Sequence, residues 1–463
     1  MTESYRCALH WFRRDLRVSD NTGFFHACET GAQVVPVFVL SHWEEAHAWT
    51  GPKRQQFLCQ SLTDLDQSLR ELGGSLVVRS GDAVDELTRL ITEQNIDAVF
   101  FNCDPDPFGL AQEKRLTAWC KEHGVAVHAF WDHCLHPPTA IKKGDGDPYR
   151  VFTPFSKPWL AADKAKPLPA PERFASPNEI DALPLPTLDH WKLSPDWDAI
   201  LPGGETEGKK RLELVKQGRM VHYDTQRDVP GELGTSRLSQ DLRWGTISVR
   251  ELFSETVNKG SEQYPKELAW REFYFQILYH YPEVLEKEFN PSWRGLPWDE
   301  PGAQWEAFQK GETGFPIVDA GIRELLATGF MHNRVRMIVA MFLTKDLHLD
   351  WKLGESFFMQ HLVDGEIALN NGGWQWSAGT GADAAPYFRI QNPWSQTKRH
   401  DPQGRYIRKW VPELAVVASA ALSKEPEAGK SVGPGYPQPI VNHGAERLRT
   451  LEIFKKHKAQ QNS

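Results

Sequence analysis

The segment from Asp364 to Arg389, DGEIALNNGGWQWSAGTGADAAPYFR, contains side chains that ordinary core packing does not require. Acids and two adjacent amides, Asn370 and Asn371, precede a Gly-Gly pair, which predicts a turn whose backbone comes close to a polar ring. Trp374 and Trp376 cannot share a helix face, so each must contact a different neighbour. After them we expect a loop of small residues. The alternative is a Trp-rich packed loop, which the segment alone favours.

The segment KELAWREFYFQILYHYP (266–282) places an acid, a cation and two rings on one helix face. Glu267, Trp270, Arg271 and Tyr274 are spaced at i, i+3, i+4 and i+7, which brings them together on a helix. A face with that spacing is usually apolar and packs in a core. This face instead suits a polar cavity with an aromatic platform for stacking.

Another helix combines polar groups with an apolar surface. In FMHNRVRMIVAMFL (330–343), Asn333, Arg336 and Met337 share one face of a helix whose other residues are mostly apolar. A buried arginine needs a partner. We expect Asp364 to be that partner, either at a functional site or as a plain structural ion pair.

The segment GTSRLSQDLRWG (234–245) is a candidate anion site. Its hydroxyls, backbone N–H groups and guanidinium suit a diphosphate that is held without a P-loop. The alternative is a simple N-cap made by a Ser or Thr, and the segment alone favours it.

The sequence pattern divides the chain into three parts, residues 1–135, 136–205 and 206–463, which must position these residues. In the first part, Val- and Phe-rich strands alternate with helices, which predicts a doubly wound, mostly parallel sheet. The strands are expected at 7–12, 34–40, 75–78, 97–102 and 125–131, and the clearest helices at 53–72 and 109–122. The second part is rich in Pro and poorly periodic, which is typical of a long connector that wraps a surface.

The third part is predicted to be an all-helical domain. Helices are expected at 206–217, 248–258, 265–280, 303–309, 317–327, 331–345 and 354–362.

The composition predicts a globular protein without a global basic signal. The net charge is −8, so any DNA binding must use a local patch. The N-terminus has no apolar signal region and the chain has no run of about 20 apolar residues, so we expect a cytoplasmic protein without a membrane span. All six cysteines lie within the first 134 residues without a CxxC pair, which predicts reduced structural thiols and no metal site.

Two further features bear on the kind of chemistry. WFRRDLRVSDN follows the first strand where a dinucleotide fingerprint would have GxGxxG, which argues against a simple NAD enzyme. The 18 tryptophans suit packing, stacking on bases or electron transfer between rings.

A series of motifs, in this order, resembles the photolyase/cryptochrome family: WFRRDLR, VFTPF, GTSRLS, ELAWREFY, GETGFPIVDAGIREL, GFMHNRVRM, FLTKDLHLDW and DGEIALNNGGWQW. The resemblance extends from Leu9 to about Leu414 and is greatest to class I cyclobutane pyrimidine dimer (CPD) photolyases. It implies an α/β antenna domain with a Rossmann-like, doubly wound parallel sheet, followed by a larger all-α domain that binds FAD.

The resemblance also implies how FAD is held. The matching cofactor positions are Tyr223, Thr235, Ser236, Arg237, Leu238, Ser239, Arg271, Arg336, Asp364, Gly365, Glu366 and Asn370. Arg336, paired with Asp364, would bring positive charge near the ring and favour an anionic reduced flavin. Asn370 matches the amide that faces the flavin N5. Plant cryptochromes commonly have Asp there and some animal ones Cys, so Asn370 favours repair.

The implied lesion pocket consists of Glu267, Trp270, Asn333, Met337 and Trp376. In the family the two indoles stack on the fused pyrimidines, and the glutamate hydrogen-bonds the 5′ base. Relatives that repair (6-4) photoproducts use a His near the positions of Asn333 and Met337, whereas this chain has His332, as the CPD enzymes do. A lesion must leave the duplex to reach a buried flavin.

The family's DNA contacts fall at Arg227, Arg389 and Gln396, besides pocket residues Glu267, Trp270 and Asn333. The first three would form the local basic rim that the net charge conceals.

The family's electron-transfer chain is only partly matched. Trp374 and Trp351 correspond to its first two tryptophans, but Phe308 occupies the position of the third, surface one. We hypothesise that Trp305, one helical turn away, is the terminal donor instead. A second departure is Glu366, which stands where the family usually has Asp.

The antenna chromophore is the least determined feature. Folate-binding relatives use an Asn-Glu pair after the fourth strand, and the aligned residues here are Phe108 and Gly109. That tells against a folate held in the usual way. The segment is more similar to deazaflavin-type relatives, and an empty site is the remaining alternative.

The resemblance therefore implies a monomeric deoxyribodipyrimidine photo-lyase that repairs cyclobutane pyrimidine dimers in DNA by electron transfer from light-excited, reduced FAD. The alternative is a cryptochrome-like blue-light photoreceptor with the same flavin. Signalling relatives often carry a long disordered tail, and here the sequence ends soon after LRTLEIFKKHK. An unrelated flavin oxidoreductase has little support, since no nicotinamide site is visible.

Overall fold

The computed structural model describes residues 4–41, 49–197, 199–257 and 261–461. Its N-terminal part is built on five parallel strands in the order β3-β2-β1-β4-β5. The strands are β1 (Tyr5–Phe12), β2 (Gly31–Leu40), β3 (Val77–Ser80), β4 (Ala98–Asn102) and β5 (Ala126–Phe130). The strands β1 and β4 are almost continuously buried, as expected for inner parallel strands that are covered on both faces. The predicted doubly wound sheet is confirmed.

A helix follows each of the first four strands: α1 (Thr22–Thr30), α2 (Pro52–Glu71), α3 (Ala83–Gln94) and α4 (Pro107–Glu122). In three of them the N-cap side chain accepts a hydrogen bond from a backbone N–H of the first turn. The capping residues are Asn21, Asp82 and Asp106. Each such cap stabilises its helix by about 1 kcal/mol.

The six cysteines of this region are free thiols, and all are buried except Cys28, which is half-buried. Burial raises the pKa of Cys28, Cys59 and Cys103 to about 12. The thiols are therefore protonated at neutral pH and unreactive.

The chain forms two compact units. The first comprises Met1–Pro195, Leu201–Val221 and Ser236–Pro282, and the second comprises Asp196–Ile200, His222–Thr235 and Glu283–Ser463. Besides the sheet, the first unit contains α5 (Phe152–Ala161), α6 (Glu205–Leu214), α8 (Ser239–Trp244), α9 (Val249–Val257) and α10 (Tyr264–His280), with a kinked segment at Val215–Arg219 in which Gly218 has a φ of +103°.

Within the first unit, the Pro-rich segment is tied to α10 by one buried carboxylate. Glu272 accepts hydrogen bonds from the Trp159 indole (2.6 Å) and from the backbone N–H groups of Leu135 and His136. Burial raises the pKa of Glu272 to about 7. Apart from α5 and a short 3₁₀ turn (Leu188–Trp191), the described residues between 136 and 195 form no helix or longer strand.

The second unit is helical. Its helices are α7 (Tyr223–Gln226), α11 (Ala303–Lys310), α12 (Pro316–Thr328), α13 (Asn333–Met341), α14 (Trp351–His361), α15 (Ile367–Ala378), α16 (Pro393–His400), α17 (Arg405–Trp410), α18 (Ser419–Leu422) and α19 (His443–Gln461). A π-helical turn (Phe342–Asp346) extends α13. The predicted all-helical architecture is confirmed. Among the described residues, no helix is both long enough and apolar enough to cross a membrane.

The predicted Gly-Gly turn is wrong, because Gly372 and Gly373 lie inside α15. Buried polar contacts hold this segment helical: the Gln375 amide donates to the carbonyl oxygens of Val284 (2.9 Å) and Lys287 (3.3 Å). Tertiary contacts thus override the poor helix propensity of glycine. The helix ends at Gly379, whose φ of +82° is the left-handed conformation that glycine adopts most easily. The small-residue loop predicted after the tryptophans does follow.

Candidate functional site

In the first unit, α10 presents a half-buried aromatic platform. The Trp270 indole stacks on Phe152, with ring centroids 3.7 Å apart and planes 9° apart, and on Tyr274 at 5.7 Å and 30°. Beside it, the Gln263 amide donates to the Glu267 carboxylate (2.8 Å). Packing on both neighbours fixes the orientation of the indole, as a stacking platform requires.

Arg271, the fourth residue of the predicted face, differs from the other three. It is buried, and its guanidinium donates to the backbone carbonyl oxygens of His133 and Leu242. Burial lowers the pKa of Arg271 to about 10, so it still carries its charge at neutral pH.

The candidate diphosphate loop has no simple helix cap. The N-cap of α8 is Leu238, and no side chain caps the helix, so the Ser or Thr N-cap considered as the alternative is wrong. The Ser236 hydroxyl instead accepts a hydrogen bond from the Tyr264 hydroxyl (2.9 Å). Arg237 has a φ of +59°, a conformation that costs a non-glycine residue about 1–2 kcal/mol. Such strain tends to occur at functional sites.

In the second unit, the predicted ion pair between Arg336 and Asp364 is confirmed. One guanidinium nitrogen of Arg336 donates to both carboxylate oxygens, at 2.8 and 3.0 Å, and another donates to the carbonyl oxygen of Met331 (2.7 Å). On the same helix Asn333 is exposed and Met337 is half-buried. This face of α13 is therefore an open surface bordered by a fixed cation.

The start of α13 is capped by His332. Its Nδ1 accepts the backbone N–H of Arg334 (3.2 Å), and its own backbone N–H donates to Glu324 (3.1 Å). The His332 ring is buried, in contrast to exposed Asn333 next to it.

Helix α15 holds its two amides in different ways. Asn370 donates its amide N–H to the backbone carbonyl of Glu355 (2.9 Å), which fixes the side chain and leaves its carbonyl oxygen directed elsewhere. Asn371 donates to the Glu355 carboxylate (2.9 Å) and to the Val284 carbonyl (3.0 Å). Asn371 therefore supports α15 structurally, whereas Asn370 keeps an acceptor available. Near the start of α15, Asp364 and Glu366 are both buried.

The two tryptophans of α15 have different surroundings, as predicted. Trp376 is half-buried, whereas Trp374 is buried and packs against Phe358 (4.9 Å). A Cβ added to Gly354 would lie 2.1 Å from the Trp374 ring, so only glycine permits this contact. Gly354 is three residues after Trp351 on α14, so the Trp374 ring packs on the helix face that also carries Trp351.

The position of the missing third tryptophan is fully buried. Phe308 has no exposed surface, and the half-buried Trp305 stacks on it at 5.5 Å and 17°. Phe357 of α14 contacts both rings, at 5.8 and 6.2 Å. Trp305 thus has the aromatic contacts that a substitute donor needs, and its role stays a prediction.

Of the expected DNA contacts in the second unit, Arg389 is exposed, and Arg227 and Gln396 are half-buried. Sequence reasoning missed Arg334, which forms an ion pair with Asp228 (2.7 Å) and lies 3.6 Å from the Met337 sulfur. The i, i+3 spacing of Arg334 and Met337 was the available signal.

Known proteins resemble the chain over nearly its whole length. The family described as "DNA photolyase" matches residues 8–172, and "FAD binding domain of DNA photolyase" matches residues 264–456. A deoxyribodipyrimidine photo-lyase of Synechococcus sp. is 39% identical over 472 residues, which cover 97% of each chain. The chain belongs to the DNA photolyase family. The predicted enzyme class and its FAD cofactor are thereby confirmed, and the protein is a flavoenzyme of light-driven DNA repair.

Solved structures of this family agree with the fold. A class III photolyase from Agrobacterium tumefaciens is 37% identical with a TM-score of 0.91, covering 99% of this chain and 98% of that one. A Synechocystis cryptochrome is 29% identical with a TM-score of 0.88, covering 98% and 100%. Because the photolyase neighbour is of class III and a cryptochrome is also similar, family membership alone does not specify the class or the lesion.

Phe108 and Gly109, at the positions of the family's folate-binding pair, lie in the first unit at the start of α4, beside the loops that follow β1 and β4. Phe108 is 73% exposed, and a Cβ on Gly109 would lie 2.6 Å from Asp104 and Arg13, so that position admits only glycine. An archaeal photolyase from Sulfolobus tokodaii, described with two FAD molecules that imply a novel light-harvesting cofactor, is 33% identical with a TM-score of 0.86, covering 97% of this chain and 100% of that one.

Proposed function

We propose that the protein splits cyclobutane pyrimidine dimers in DNA when it absorbs light, with reduced FAD as the electron donor. The observation that carries this choice of lesion is His332. Repair of (6-4) photoproducts in the family uses a His near the pocket, but the Nδ1 of His332 is already occupied as the N-cap of α13. The exposed pocket positions on this helix are Asn333 and, partly, Met337.

Bound in its reduced form, FAD would supply the light-driven chemistry, a one-electron donation to the dimer that opens the cyclobutane ring. The chain's own groups fit this cofactor. Because the Asn370 amide N–H is held by Glu355, its free carbonyl oxygen is the group that can accept an N–H from a reduced flavin. Being neutral, it adds no negative charge beside an anionic ring.

The remaining proposed cofactor contacts fall into two groups. In the second unit, Arg336, Asp364, Gly365 and Glu366 would hold the ring system, and the Arg336 guanidinium is paired with Asp364, so the pair as a whole is neutral. Tyr223 and Thr235 belong to the same unit. In the first unit, Ser236, Arg237, Leu238 and Ser239 would hold the phosphates, and Arg271 contributes a buried positive charge.

We assign the lesion contacts to Glu267, Trp270, Asn333, Met337 and Trp376. Stacking of Trp270 on Phe152 and Tyr274 supports the role of a base platform, since a ring already fixed in orientation loses little entropy when a flipped base binds. Glu267, held by Gln263, would accept hydrogen bonds from the 5′ base. Arg227, Arg389 and Gln396 are proposed to contact the DNA backbone, and Arg334 joins them.

The test uses protein whose FAD has been fully reduced with dithionite. Oligonucleotides with one thymine dimer or one (6-4) product are illuminated with near-UV light, and duplicates are kept in darkness. We expect light-dependent loss of the thymine dimer only. Two matched variants test the platform. Trp270→Phe keeps a ring and should bind the dimer with an affinity close to that of the wild type. Trp270→Ala removes the ring and should bind it at least about tenfold more weakly.

The second candidate function is a blue-light photoreceptor, and its support is the similarity to the Synechocystis cryptochrome. Failure of the fully reduced protein to repair either lesion would favour it.

A second chromophore, a deazaflavin or a folate, is a separate proposal. Absorption spectra of the chromophores released by denaturation would identify it, and FAD as the only released species would contradict it.

A further inference from the structure

A cavity of about 420 Å³ opens in the second unit beside Trp305. Its apolar walls include three aromatic side chains, Trp298, Trp305 and Phe357. The volume lies within the usual range for small-molecule sites, which are about 300–1,000 Å³. Dimer splitting, as proposed above, does not use this cavity. Its wall includes Trp305, which would be the outermost ring of a proposed electron-transfer route that continues inwards to Trp351 and Trp374.

The charges around the cavity are unequal. Three carboxylates line it, Asp299, Glu300 and Asp350, against one cation, Lys352. Arg449 neutralises Asp299 at 2.7 Å, which leaves an excess of negative charge. Asp350 is half enclosed and caps α14, and burial raises its pKa above the usual value. The walls therefore favour a ligand that is neutral or positively charged and repel anions.

We propose that this cavity binds a small phenolic reductant, neutral or cationic, which restores Trp305 after Trp305 has passed an electron inwards. The proposal rests on the hypothesis that Trp305 is the terminal electron donor to the flavin of the repair function proposed above. A phenol seated between the aromatic walls would contact the half-buried indole directly.

The step balances without a further reactant. The oxidised indole, a radical cation, takes one electron from the phenol and becomes neutral tryptophan again. The phenol becomes a phenoxyl radical and releases its hydroxyl proton. A carboxylate of the wall or a water molecule takes that proton. Asp350 is suited to this role because its raised pKa makes it a stronger base than an ordinary aspartate. Anionic donors would be excluded by charge.

The test compares tyramine with 3-(4-hydroxyphenyl)propanoate, which share the phenol and differ in the sign of their charge. Binding to the FAD-loaded protein is first measured in darkness by saturation-transfer NMR. We expect saturable binding of tyramine and at least tenfold weaker binding of the anion. Glu300→Lys, at the wall, should weaken tyramine binding, whereas Glu306→Lys, an exposed acid on the same helix as Trp305, should not.

A second readout is the rate at which blue light reduces the oxidised protein with each phenol. Tyramine should accelerate it with a saturating concentration dependence, and Ser356→Phe, which fills the cavity, should make that dependence linear. Equal, non-saturating acceleration by both phenols would overturn the site.

The donor role would be overturned if tyramine binds saturably in darkness but Trp305→Phe shows no loss of tyramine-driven photoreduction. Dimer repair by dithionite-reduced protein, measured alongside, reports on the proposed repair function separately.

Discussion

The inner and outer ends of the proposed electron-transfer route differ in burial and in charge. At the inner end, Trp374 is 2% exposed and Trp351 is fully buried. At the outer end, Trp305 is half-buried beside a cavity lined by three carboxylates. A positive charge in an apolar interior lacks hydration, whereas one near water and carboxylates is stabilised. The difference therefore makes an oxidised indole more stable at the outer end, and the positive charge should move outwards.

Phe308 stands where the family has its third tryptophan. It is fully buried and stacked on Trp305, in a place where an oxidised tryptophan would gain little from water. Moving the outer donor by one helical turn, from 308 to 305, places the indole against the solvent-accessible cavity instead. The chain thus keeps an exposed terminal ring although the usual position has lost its tryptophan.

The largest effect is expected at the inner end. Trp374→Phe should slow light-driven reduction of oxidised FAD by at least about 100-fold, which corresponds to about 2.7 kcal/mol in the barrier. The reason is that phenylalanine is far harder to oxidise than tryptophan. The measurement is the loss of oxidised-flavin absorbance under blue light with excess dithiothreitol.

Trp394→Phe is the matched control for this variant. Both indoles are buried, and neither N–H has a hydrogen-bond partner among the described residues. Trp394 packs against Phe315 instead of Gly354, and its substitution should leave the rate near that of the wild type. Equal slowing in the two variants would count against a specific route.

At the outer end we expect a smaller loss. Trp305→Phe should slow photoreduction roughly tenfold, because the positive charge then stays at a buried indole and returns more often. Phe308→Trp in the same background should restore part of the rate by supplying an oxidisable ring. The hypothesis fails if Trp305→Phe leaves the photoreduction rate untouched.

The packing of Trp374 on α14 can be disturbed without removing either inner tryptophan. Gly354→Ala places a methyl group against Trp374 and should cost about 1–3 kcal/mol through overpacking. We expect a lower melting temperature and a photoreduction rate reduced only a few-fold. Gly373→Ala is the control, since a Cβ there meets nothing within 4 Å, and alanine in a helix should raise the melting temperature slightly.

These contacts show where sequence reasoning succeeds. The strands were predictable because parallel strands covered on both faces need long apolar runs, as in the VVPVFVL segment of β2. The Arg336–Asp364 pair was predictable because a guanidinium on an otherwise apolar helix requires an acid. In both cases the residue types of a short segment allow only one favourable environment, burial on both faces for the strands and an acidic partner for the arginine.

Other features depend on contacts that local patterns do not contain. Gly372 and Gly373 resemble a turn, but partners distant in sequence, such as Val284, hold them in a helix. The burial of Lys345 could not be predicted from the sequence either, because its segment has the pattern of an ordinary amphipathic helix end. Its ammonium group donates to the Ala378 carbonyl (2.5 Å) and lies 3.9 Å from the centre of the Phe454 ring.

Lys345 measures how strongly the interior of the second unit disfavours a positive charge. The comparison between the inner tryptophans and Trp305 depends on that quantity. Burial lowers the pKa of Lys345 to about 7, against about 10.4 in an unfolded chain. Between these values the unfolded chain binds more protons than the folded one, so the free energy of unfolding should rise with pH. For one group the slope is at most about 1.4 kcal/mol per pH unit.

Lys345→Met removes the titrating group and keeps an apolar chain of similar length. Relative to this variant, the wild type should therefore gain stability between pH 7 and pH 9, measured as the difference in the midpoint of urea unfolding at the two values. Thiols and tyrosines titrate in the same range, but they are common to both proteins and cancel in the comparison. Equal pH dependence in the two proteins would mean that Lys345 is solvated. The interior would then give an oxidised Trp374 or Trp351 little reason to pass its charge towards Trp305.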